Sequence, residues 1–267
     1  MKKIGFIGGG NMAQAMIGGI IKSKIIEPEN IIVSDLNEEI LEFVNQKFKV
    51  ITTVDNLKTS LQSDILFLSV KPNLYEIVIK QIKENIKNDV IIVAIAAGQS
   101  IKRVEELFDK ELKVIKVMPN TPSLVGEGMA AICPNKLVEE KELNFIIDIF
   151  NSFGKSEIVP EYLMDAVTAV SGSSPAYVYM FIEALADGAV LQGLPRDKAY
   201  KMAAQTVLGA AKMVLETGEH PAKLKDMVCS PGGTTIEAVA KLEEKGFRTS
   251  VIEAMKACTD KSRNMSK

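Results

Sequence analysis

The stretch at residues 230–237 combines two adjacent glycines with two adjacent threonines, at the predicted start of a helix that runs to Lys245. Glycines leave backbone N–H groups open, and a helix start points its first N–H groups toward an anion. A plain N-cap by Ser230 or Thr234 would explain one hydroxyl but hardly the paired glycines, so we favour a site for a small carboxylate. The residues predicted to form it are Gly232, Gly233, Thr234 and Thr235.

A second glycine cluster lies near the start of the chain. The apolar run at residues 4–7 leads into Gly8-Gly9-Gly10-Asn11-Met12-Ala13, a GxGxxA pattern, and then into a predicted helix over residues 12–21. In this context the first glycine permits a tight turn, the second lets the backbone approach a pyrophosphate, and the alanine lets the helix lie close to the strand. The pattern predicts a dinucleotide site, and a glycine-rich turn without a ligand is the alternative.

An acidic residue, Asp35, closes the second predicted strand, 25 residues after Gly10. A carboxylate there accepts hydrogen bonds from the adenine ribose hydroxyls and repels a 2′-phosphate. Because no arginine follows at residues 36–38, the pattern favours NADH over NADPH. The alternative is that Asp35 merely caps the next helix.

Three further predicted strands end in turns of unusual composition. Ligands of open α/β sheets bind beyond the carboxyl ends of the strands, so all three turns should face the cofactor. Ordinary turns are the alternative at each position. The turns are Ser69-Val70-Lys71-Pro72, Ala96-Ala97-Gly98 and Met118-Pro119-Asn120-Thr121-Pro122.

Short β-rich runs, separated by helical segments, must position these turns. Continuous apolar runs imply a parallel sheet covered on both faces, which is a doubly wound α/β domain of the Rossmann type. The runs cover residues 4–7, 31–34, 65–69, 90–95 and 114–117. An end piece follows, with a strand at 129–133, an amphipathic helix at 138–153 and a last strand at 156–159.

The pattern changes after Pro160. Beyond it we find no convincing strand, only long helical stretches rich in Ala, Met and Leu. The sequence therefore predicts a dinucleotide-binding Rossmann domain over residues 1–160 and an all-helical domain over residues 161–267. The stretch at 184–190 is apolar nearly all round, so we expect it to be buried on most sides, partly by a second subunit.

Composition narrows the function classes. Thirty-two Lys and Arg against 34 Asp and Glu give a net charge of -2, which leaves no basic field for nucleic acid or an anionic membrane. The apolar runs are far shorter than the roughly 20 residues of a membrane span.

Cys133, Cys229 and Cys258 predict no metal site and are interpreted as buried thiols in a reducing cytoplasm. The sole histidine, His220, is interpreted as a loop or cap residue.

Six segments, taken in order, resemble the pattern of the pyrroline-5-carboxylate reductase family over nearly the whole chain. The last two are the distinctive ones, because other Rossmann reductases share the first four in weaker form. The segments are residues 5–13, 70–72, 96–98, 119–122, 171–177 and 230–235.

The resemblance implies an enzyme that uses NADH or NADPH to reduce the imino acid 1-pyrroline-5-carboxylate to proline, the last step of proline biosynthesis. It implies a helical dimerisation domain that interlocks with its partner, in a homodimer or a larger ring of dimers. It assigns the substrate to the Gly-Gly-Thr-Thr turn and Glu161, with the hydroxyl of Thr235 near the ring nitrogen as the catalytic group. It assigns the cofactor to Ile7, Gly8, Gly9, Gly10, Asn11, Met12, Asp35, Asn56, Ser69, Val70, Lys71, Pro72, Ala96, Ala97 and Asn120.

The chain has no lysine between Lys155 and Lys198, where related hydroxy-acid dehydrogenases carry one that handles the alcohol proton. Oxidising an alcohol requires a base, whereas reducing an imine needs only a proton delivered to nitrogen, so the sequence favours an imine. Two alternatives stay open. One is a reductase for a larger cyclic imine or a hydroxy acid, and the other is a non-catalytic dinucleotide-sensing or scaffold protein with an empty second pocket.

Overall fold

The computed structural model describes residues 2–265, which form two compact units. One unit runs up to Ser173 and includes the chain from Cys258 onward, and the other covers residues 174–257. The last helix therefore begins in the second unit and ends in the first. The change of sequence pattern after Pro160 falls inside the first unit, and a domain boundary at that point stays a prediction.

A single eight-stranded sheet organises the first unit. Its strands are β1 Ile4–Ile7, β2 Ile31–Ser34, β3 Ile51–Thr53, β4 Ile65–Leu68, β5 Ile91–Ala94, β6 Lys113–Met118, β7 Gly128–Pro134 and β8 Gly154–Ile158. Their spatial order is β3-β2-β1-β4-β5-β6-β7-β8. All neighbours from β3 to β6 pair in parallel, while β7 is antiparallel to β6 and parallel to β8. The run from β3 to β6 has the strand order of a Rossmann fold, which confirms the predicted fold class.

Burial explains why the central strands are continuous apolar runs. Every residue of β1, β2, β4 and β5 is buried, because helices cover both faces of the sheet. Successive side chains point to opposite faces, so one core contains Phe6 and Phe67, whose rings stack at 4.6 Å, and the other contains Leu66 and Leu68. β3 is a short, partly exposed edge strand, and the apolar pattern does not single it out.

Seven α-helices belong to the described part of the first unit. They are α1 Asn11–Lys22, α2 Glu38–Phe48, α3 Asn56–Gln62, α4 Tyr75–Ile82, α5 Ile101–Phe108, α6 Glu140–Asn151 and α7 Met164–Val167. Side-chain caps start several of them: Asn37 caps α2, Asp55 caps α3 and Ser100 caps α5. A π-helical turn over Thr168–Gly172 follows α7.

The second unit is helical throughout, and no strand occurs in residues 174–257, as predicted. Its helices are α8 Ser174–Leu191, α9 Arg196–Thr217, α10 Pro221–Val228, α11 Thr234–Glu244 and the larger part of α12 Phe247–Met265. Of the residues in α8, Ala186 is buried in a single chain. The burial that we expect for residues 184–190 is therefore not provided by this chain itself, which leaves most of that apolar surface exposed.

The structure tests the expectations about the three cysteines and about membrane-spanning helices. All three cysteines are free thiols, but Cys133 alone is buried, while Cys229 and Cys258 are partly exposed, so the prediction of buried thiols is wrong for those two. Within residues 2–265, no helix has the length and apolar content needed to cross a membrane.

Candidate active site

The glycine loop between β1 and α1 has a shape that side chains would disturb. Gly8 has a φ of 101°, and a Cβ added there would lie 2.7 Å from the Ser69 carbonyl oxygen. Gly10 differs, because an added Cβ would meet no atom within 4 Å. Gly10 is the N-cap of α1. Because glycine has no side chain, it cannot cap the first N–H groups of the helix.

Asp35 stabilises this loop from the end of β2. One carboxylate oxygen accepts a hydrogen bond from Gly9 N (2.8 Å), and the other accepts from Asn37 N (3.0 Å). The cap of α2 is Asn37, whose side chain accepts from Glu39 N and Ile40 N. The alternative that Asp35 caps this helix is therefore wrong, and its carboxylate instead fixes the glycine turn.

A cleft of about 370 Å³ opens beside the glycine loop. Ser34 Oγ donates to Asn56 Oδ1 (2.8 Å), and Asn56 Nδ2 donates to Gln81 Oε1 (3.1 Å), so these side chains form one chain of hydrogen bonds along its wall. The predicted cofactor residues that line the cleft are Ile7, Gly8, Gly10, Asp35, Asn56, Ser69, Val70 and Lys71.

The other predicted cofactor residues have different positions. Gly9 bonds to Asp35, Asn11 and Met12 begin α1, and Pro72 begins the 3₁₀ turn after Lys71. Ala96, Ala97 and Asn120 follow β5 and β6 and do not line this cleft.

The cleft fits a dinucleotide. The open Cβ position at Gly10 and the uncapped start of α1 leave space that a pyrophosphate would occupy, and the Asp35 carboxylate in the cleft lining would accept from ribose hydroxyls. When bound, a reduced nicotinamide supplies a hydride. The residues that line the cleft would bind and orient it.

Side-chain hydroxyls fasten the neighbouring strand ends to one another. Ser69 Oγ lies 2.8 Å from Gly8 O and 3.0 Å from Ile7 O, which ties the turn after β4 to the glycine loop. The Tyr75 hydroxyl lies 3.2 Å from Ala96 N, beside the turn after β5. Tyr75 is not predicted from the sequence, because an aromatic residue among apolar neighbours at a helix start resembles an ordinary core residue.

Asn120 has both ends of its amide engaged within the first unit. Its Nδ2 donates to Ser171 O (3.0 Å), and its Oδ1 accepts from Met129 N (2.9 Å). The side chain is only 8% exposed. Asn120 therefore joins the turn after β6 to the π-helical turn, and its contact with a cofactor stays a prediction.

Glu161 is also engaged by its own unit. Its Oε1 accepts from Ile101 N (2.7 Å), at the first residue of α5, and lies 3.7 Å from Lys116 Nζ. Burial raises the pKa of the nearby Cys133 thiol, and the negative charge of Glu161 raises it further. In the structure this carboxylate therefore binds the backbone at the start of α5. The contact between Glu161 and substrate stays a prediction.

In the second unit, the Gly-Gly-Thr-Thr turn precedes α11. Gly232 has a φ of 66°, with no atom within 4 Å of an added Cβ. Gly233 is the N-cap, its N–H donates to Ser230 O (3.0 Å), and it makes no side-chain capping bond. Neither Ser230 nor Thr234 is the N-cap, and α11 begins at Thr234. The start of α11 therefore has no side-chain cap, although the Ser230 side chain lies against Gly233, where an added Cβ would collide with Ser230 Oγ.

His220 lies before this turn, at the start of α10. It is the N-cap of that helix, and its Nδ1 accepts from Ala222 N (3.2 Å). This confirms the interpretation of the sole histidine as a cap residue.

Comparisons with known proteins agree with this architecture. Residues 3–98 match a family model described as NADP oxidoreductase, coenzyme F420-dependent, and residues 161–265 match one described as pyrroline-5-carboxylate reductase dimerisation. The second match implies that the chain assembles into oligomers.

Several full-length relatives and solved structures are named pyrroline-5-carboxylate reductase. A pyrroline-5-carboxylate reductase of Escherichia coli is 48% identical over 266 residues, covering 100% of this chain and 99% of the relative. The structure of such an enzyme from Coxiella burnetii has a TM-score of 0.93 at 34% identity, covering 100% of this chain and 99% of the other. A pyrroline carboxylate reductase of Plasmodium falciparum with NADP bound has a TM-score of 0.91 at 35% identity, covering 100% and 98%.

Identity at this level over whole chains, together with the dinucleotide cleft, decides the family and its reaction. The chain belongs to the pyrroline-5-carboxylate reductase family and catalyses the nicotinamide-dependent reduction of 1-pyrroline-5-carboxylate to proline, the last step of proline biosynthesis.

Proposed function

We propose that the Gly-Gly-Thr-Thr turn binds the carboxylate of 1-pyrroline-5-carboxylate and that the Thr235 hydroxyl hydrogen-bonds the imine nitrogen. The observation that carries this proposal is the start of α11, where a left-handed Gly232 and an N-cap without a side-chain bond leave backbone N–H groups open. Since Gly233 N already donates to Ser230 O, the carboxylate would be bound by the N–H groups of Gly232 and of the first residues of α11, Thr234 and Thr235.

The reaction requires the protein mainly to orient the imine toward the reduced cofactor. The imine carbon gains a hydride, and the nitrogen gains one proton. A hydroxyl is a poor acid, so Thr235 orients the nitrogen by a hydrogen bond, and the proton comes from water or from an imine that binds already protonated. The absence of lysine between Lys155 and Lys198 agrees with a reaction that needs no base for an alcohol.

The reduction of the imine is tested by a steady-state assay with pyrroline-5-carboxylate. The assay is run separately with NADH and with NADPH. We expect saturable oxidation of at least one cofactor and formation of proline. A hydroxy acid and a larger cyclic imine in the same assay separate the substrate classes. Failure to consume either reduced cofactor with pyrroline-5-carboxylate would contradict the proposal.

We infer that the cofactor preference is for NADH, because the Asp35 carboxylate cannot leave the ribose end of the cleft without losing two hydrogen bonds. A fixed negative charge repels a 2′-phosphate and accepts from ribose hydroxyls. Lys71 lines the same cleft and is the cation that would oppose this preference.

Replacing Asp35 with asparagine tests the preference with little change of shape. We expect the ratio of kcat/KM for NADH to that for NADPH to fall about fivefold, since one partly exposed charge contact is worth on the order of 1 kcal/mol. The ratio is measured from initial rates with each cofactor. Glu38→Gln removes a charge from the start of α2 and serves as the matched control. An unchanged ratio in Asp35→Asn would assign the preference to other residues.

We also propose that α8 forms part of a subunit interface, in a homodimer or a ring of dimers. Tyr179 and Met180 are 59% and 68% exposed in a single chain, and α8 contains few charged residues to keep it in water. A second copy of this helical unit would cover that surface, as the matched dimerisation family implies.

Met180→Glu should weaken this assembly. An unpaired carboxylate in an apolar interface is strongly unfavourable, so we expect the dimer dissociation constant to rise at least about 100-fold. Sedimentation velocity over a range of protein concentrations measures the change. Lys102→Glu, on the 84% exposed Lys102 side chain of α5, is the control for altered charge. If Met180→Glu sediments like the wild type, α8 is not in the interface.

A further inference from the structure

The hydroxyl of Tyr75 lies in an unusual place for a core side chain. Tyr75 is the first residue of α4 and is 1% exposed. Its Oη lies 2.7 Å from Leu68 O, to which it donates, and accepts from Ile95 N (3.1 Å) and Ala96 N (3.2 Å). One donor and two lone pairs are thus all used, each on a backbone group.

These backbone groups belong to the point where two strands part. The pairing of β4 with β5 ends at Leu68 and Ala94, and the pairing of β5 with β6 also ends at Ala94. Ile95 and Ala96 come next, beyond both ladders. The Tyr75 hydroxyl takes the place of a further ladder bond, and it holds the carboxyl ends of β4 and β5 at a fixed distance.

The same bonds connect to the glycine loop. Leu68 is followed at once by Ser69, whose hydroxyl reaches Ile7 O and Gly8 O. A line of hydrogen bonds therefore runs from the turn after β5, through Tyr75, to the turn after β4 and on to the loop after β1. Each of these three segments carries residues that the family resemblance assigns to the cofactor.

Burial also fixes the protonation state of this group. It raises the pKa of the Tyr75 hydroxyl far above its ordinary value, although the N–H groups of Ala96 and Ile95 act in the opposite direction. The hydroxyl therefore keeps its proton and continues to donate to Leu68 O over the whole range in which the protein would be assayed.

We propose that Tyr75 is a positioning residue for the cofactor: its hydroxyl sets the spacing between the turn at residues 69–72 and the turn at residues 96–98. This inference rests on the proposed placement of cofactor contacts on those turns. Tyr75 itself does not line the dinucleotide cleft and acts through the backbone that it holds.

Tyr75→Phe is the direct test, because it keeps the ring in the core and removes only the hydroxyl. Three backbone groups, of the buried residues Leu68 and Ala96 and the partly buried Ile95, then lose their partner, and the two turns can separate. We expect the dissociation constant of the preferred reduced cofactor, measured by fluorescence titration without substrate, to rise about tenfold. Ile79→Ala, in the same helix and fully buried, is the matched control, since it removes apolar core contacts but no hydrogen bond to either turn. We expect its dissociation constant to stay within about twofold of the wild type.

Hydrogen exchange supplies a readout that a loss of general stability would not reproduce. In the cofactor-free wild type, the amides of Ile95 and Ala96 should exchange as slowly as that of Val93, which lies inside β5. In Tyr75→Phe they should exchange at least about tenfold faster while Val93 changes no more than in Ile79→Ala. Fast exchange at Ile95 and Ala96 in the wild type would overturn the inference even if the variant did not fold.

The outcomes separate this inference from the proposed function. If the wild type binds cofactor and reduces the imine but Tyr75→Phe binds as tightly, the positioning role is wrong and the function stands. If Ile79→Ala weakens binding as much as Tyr75→Phe, the effect is one of stability and the positioning role is again wrong. If the wild type binds neither nicotinamide cofactor, the proposed function fails, and the role of Tyr75 toward a cofactor fails with it.

Discussion

Replacing Gly8 with alanine should reduce the affinity for NADH and NADPH by more than about 100-fold. The added Cβ would lie 2.7 Å from Ser69 O, and the φ of 101° is one that L side chains rarely adopt. Strain of this kind is worth about 1–3 kcal/mol, and the overlap with a backbone oxygen adds to it. The oxygen that Gly8 faces is the backbone carbonyl of Ser69. This segment is held in place because Ser69 N donates to Ile7 O. Calorimetric titration with each reduced cofactor measures the loss.

The matched control for this experiment is Gly218→Ala. Gly218 caps the end of α9 with a φ of 66°, but a Cβ there would meet no atom within 4 Å. It therefore carries the backbone strain without the collision, and we expect cofactor affinity within about twofold of the wild type. Thermal melts of both variants separate lost binding from lost folding. Tight cofactor binding by folded Gly8→Ala would contradict the placement of the dinucleotide on this loop.

The central strands could be predicted because their burial leaves a plain mark in the sequence. A strand covered on both faces cannot alternate in polarity, and β1, β2, β4 and β5 read as continuous apolar runs. The edge strand β3 has three residues and none of them is buried, so the same rule gives no signal there. The reversal of β7 relative to β6 also has no counterpart in the apolar pattern.

The positions of side-chain hydrogen bonds were harder to predict, because their partners are distant along the chain. The position of Asp35 predicted either an acceptor for ribose hydroxyls or a cap of α2, and it did not indicate the bond to Gly9 N. Tyr75 bonds to backbone groups at residues 68, 95 and 96, which no local motif signals. Hydrogen bonds of this kind follow from the fold rather than from spacing in the sequence.

The division into compact units illustrates the same limit. α12 is a continuous helix from Phe247 to Met265, yet its last turns belong to the first unit. Ser262 Oγ lies 2.6 Å from Asp165 Oδ1, and Cys258 Sγ lies 3.2 Å from Ser173 Oγ, which are contacts within that unit. The composition changes once, after Pro160, and it does not indicate that the end of α12 belongs to the first unit.

Thr235→Ala should lower kcat about 10- to 100-fold while the dissociation constants of NADH and NADPH stay within about twofold of the wild type. Thr235 is the second residue of α11, beside the turn that we propose to hold the carboxylate. Loss of its hydroxyl removes the hydrogen bond to the imine nitrogen, where a charge changes as the hydride arrives. Alanine is a better helix former than threonine, so the helix itself should not be weakened.

Thr235→Ser provides the comparison that isolates the hydroxyl. Serine keeps the oxygen and removes a methyl group, so its kcat should remain within about threefold of the wild type if the hydrogen bond is what matters. Equal losses of kcat in the serine and alanine variants would instead indicate that the methyl group packs against the substrate. A large loss of cofactor affinity in Thr235→Ala would contradict the placement of this residue on the substrate side, because the pyrophosphate is proposed to bind at Gly8 and Gly10 in the other unit.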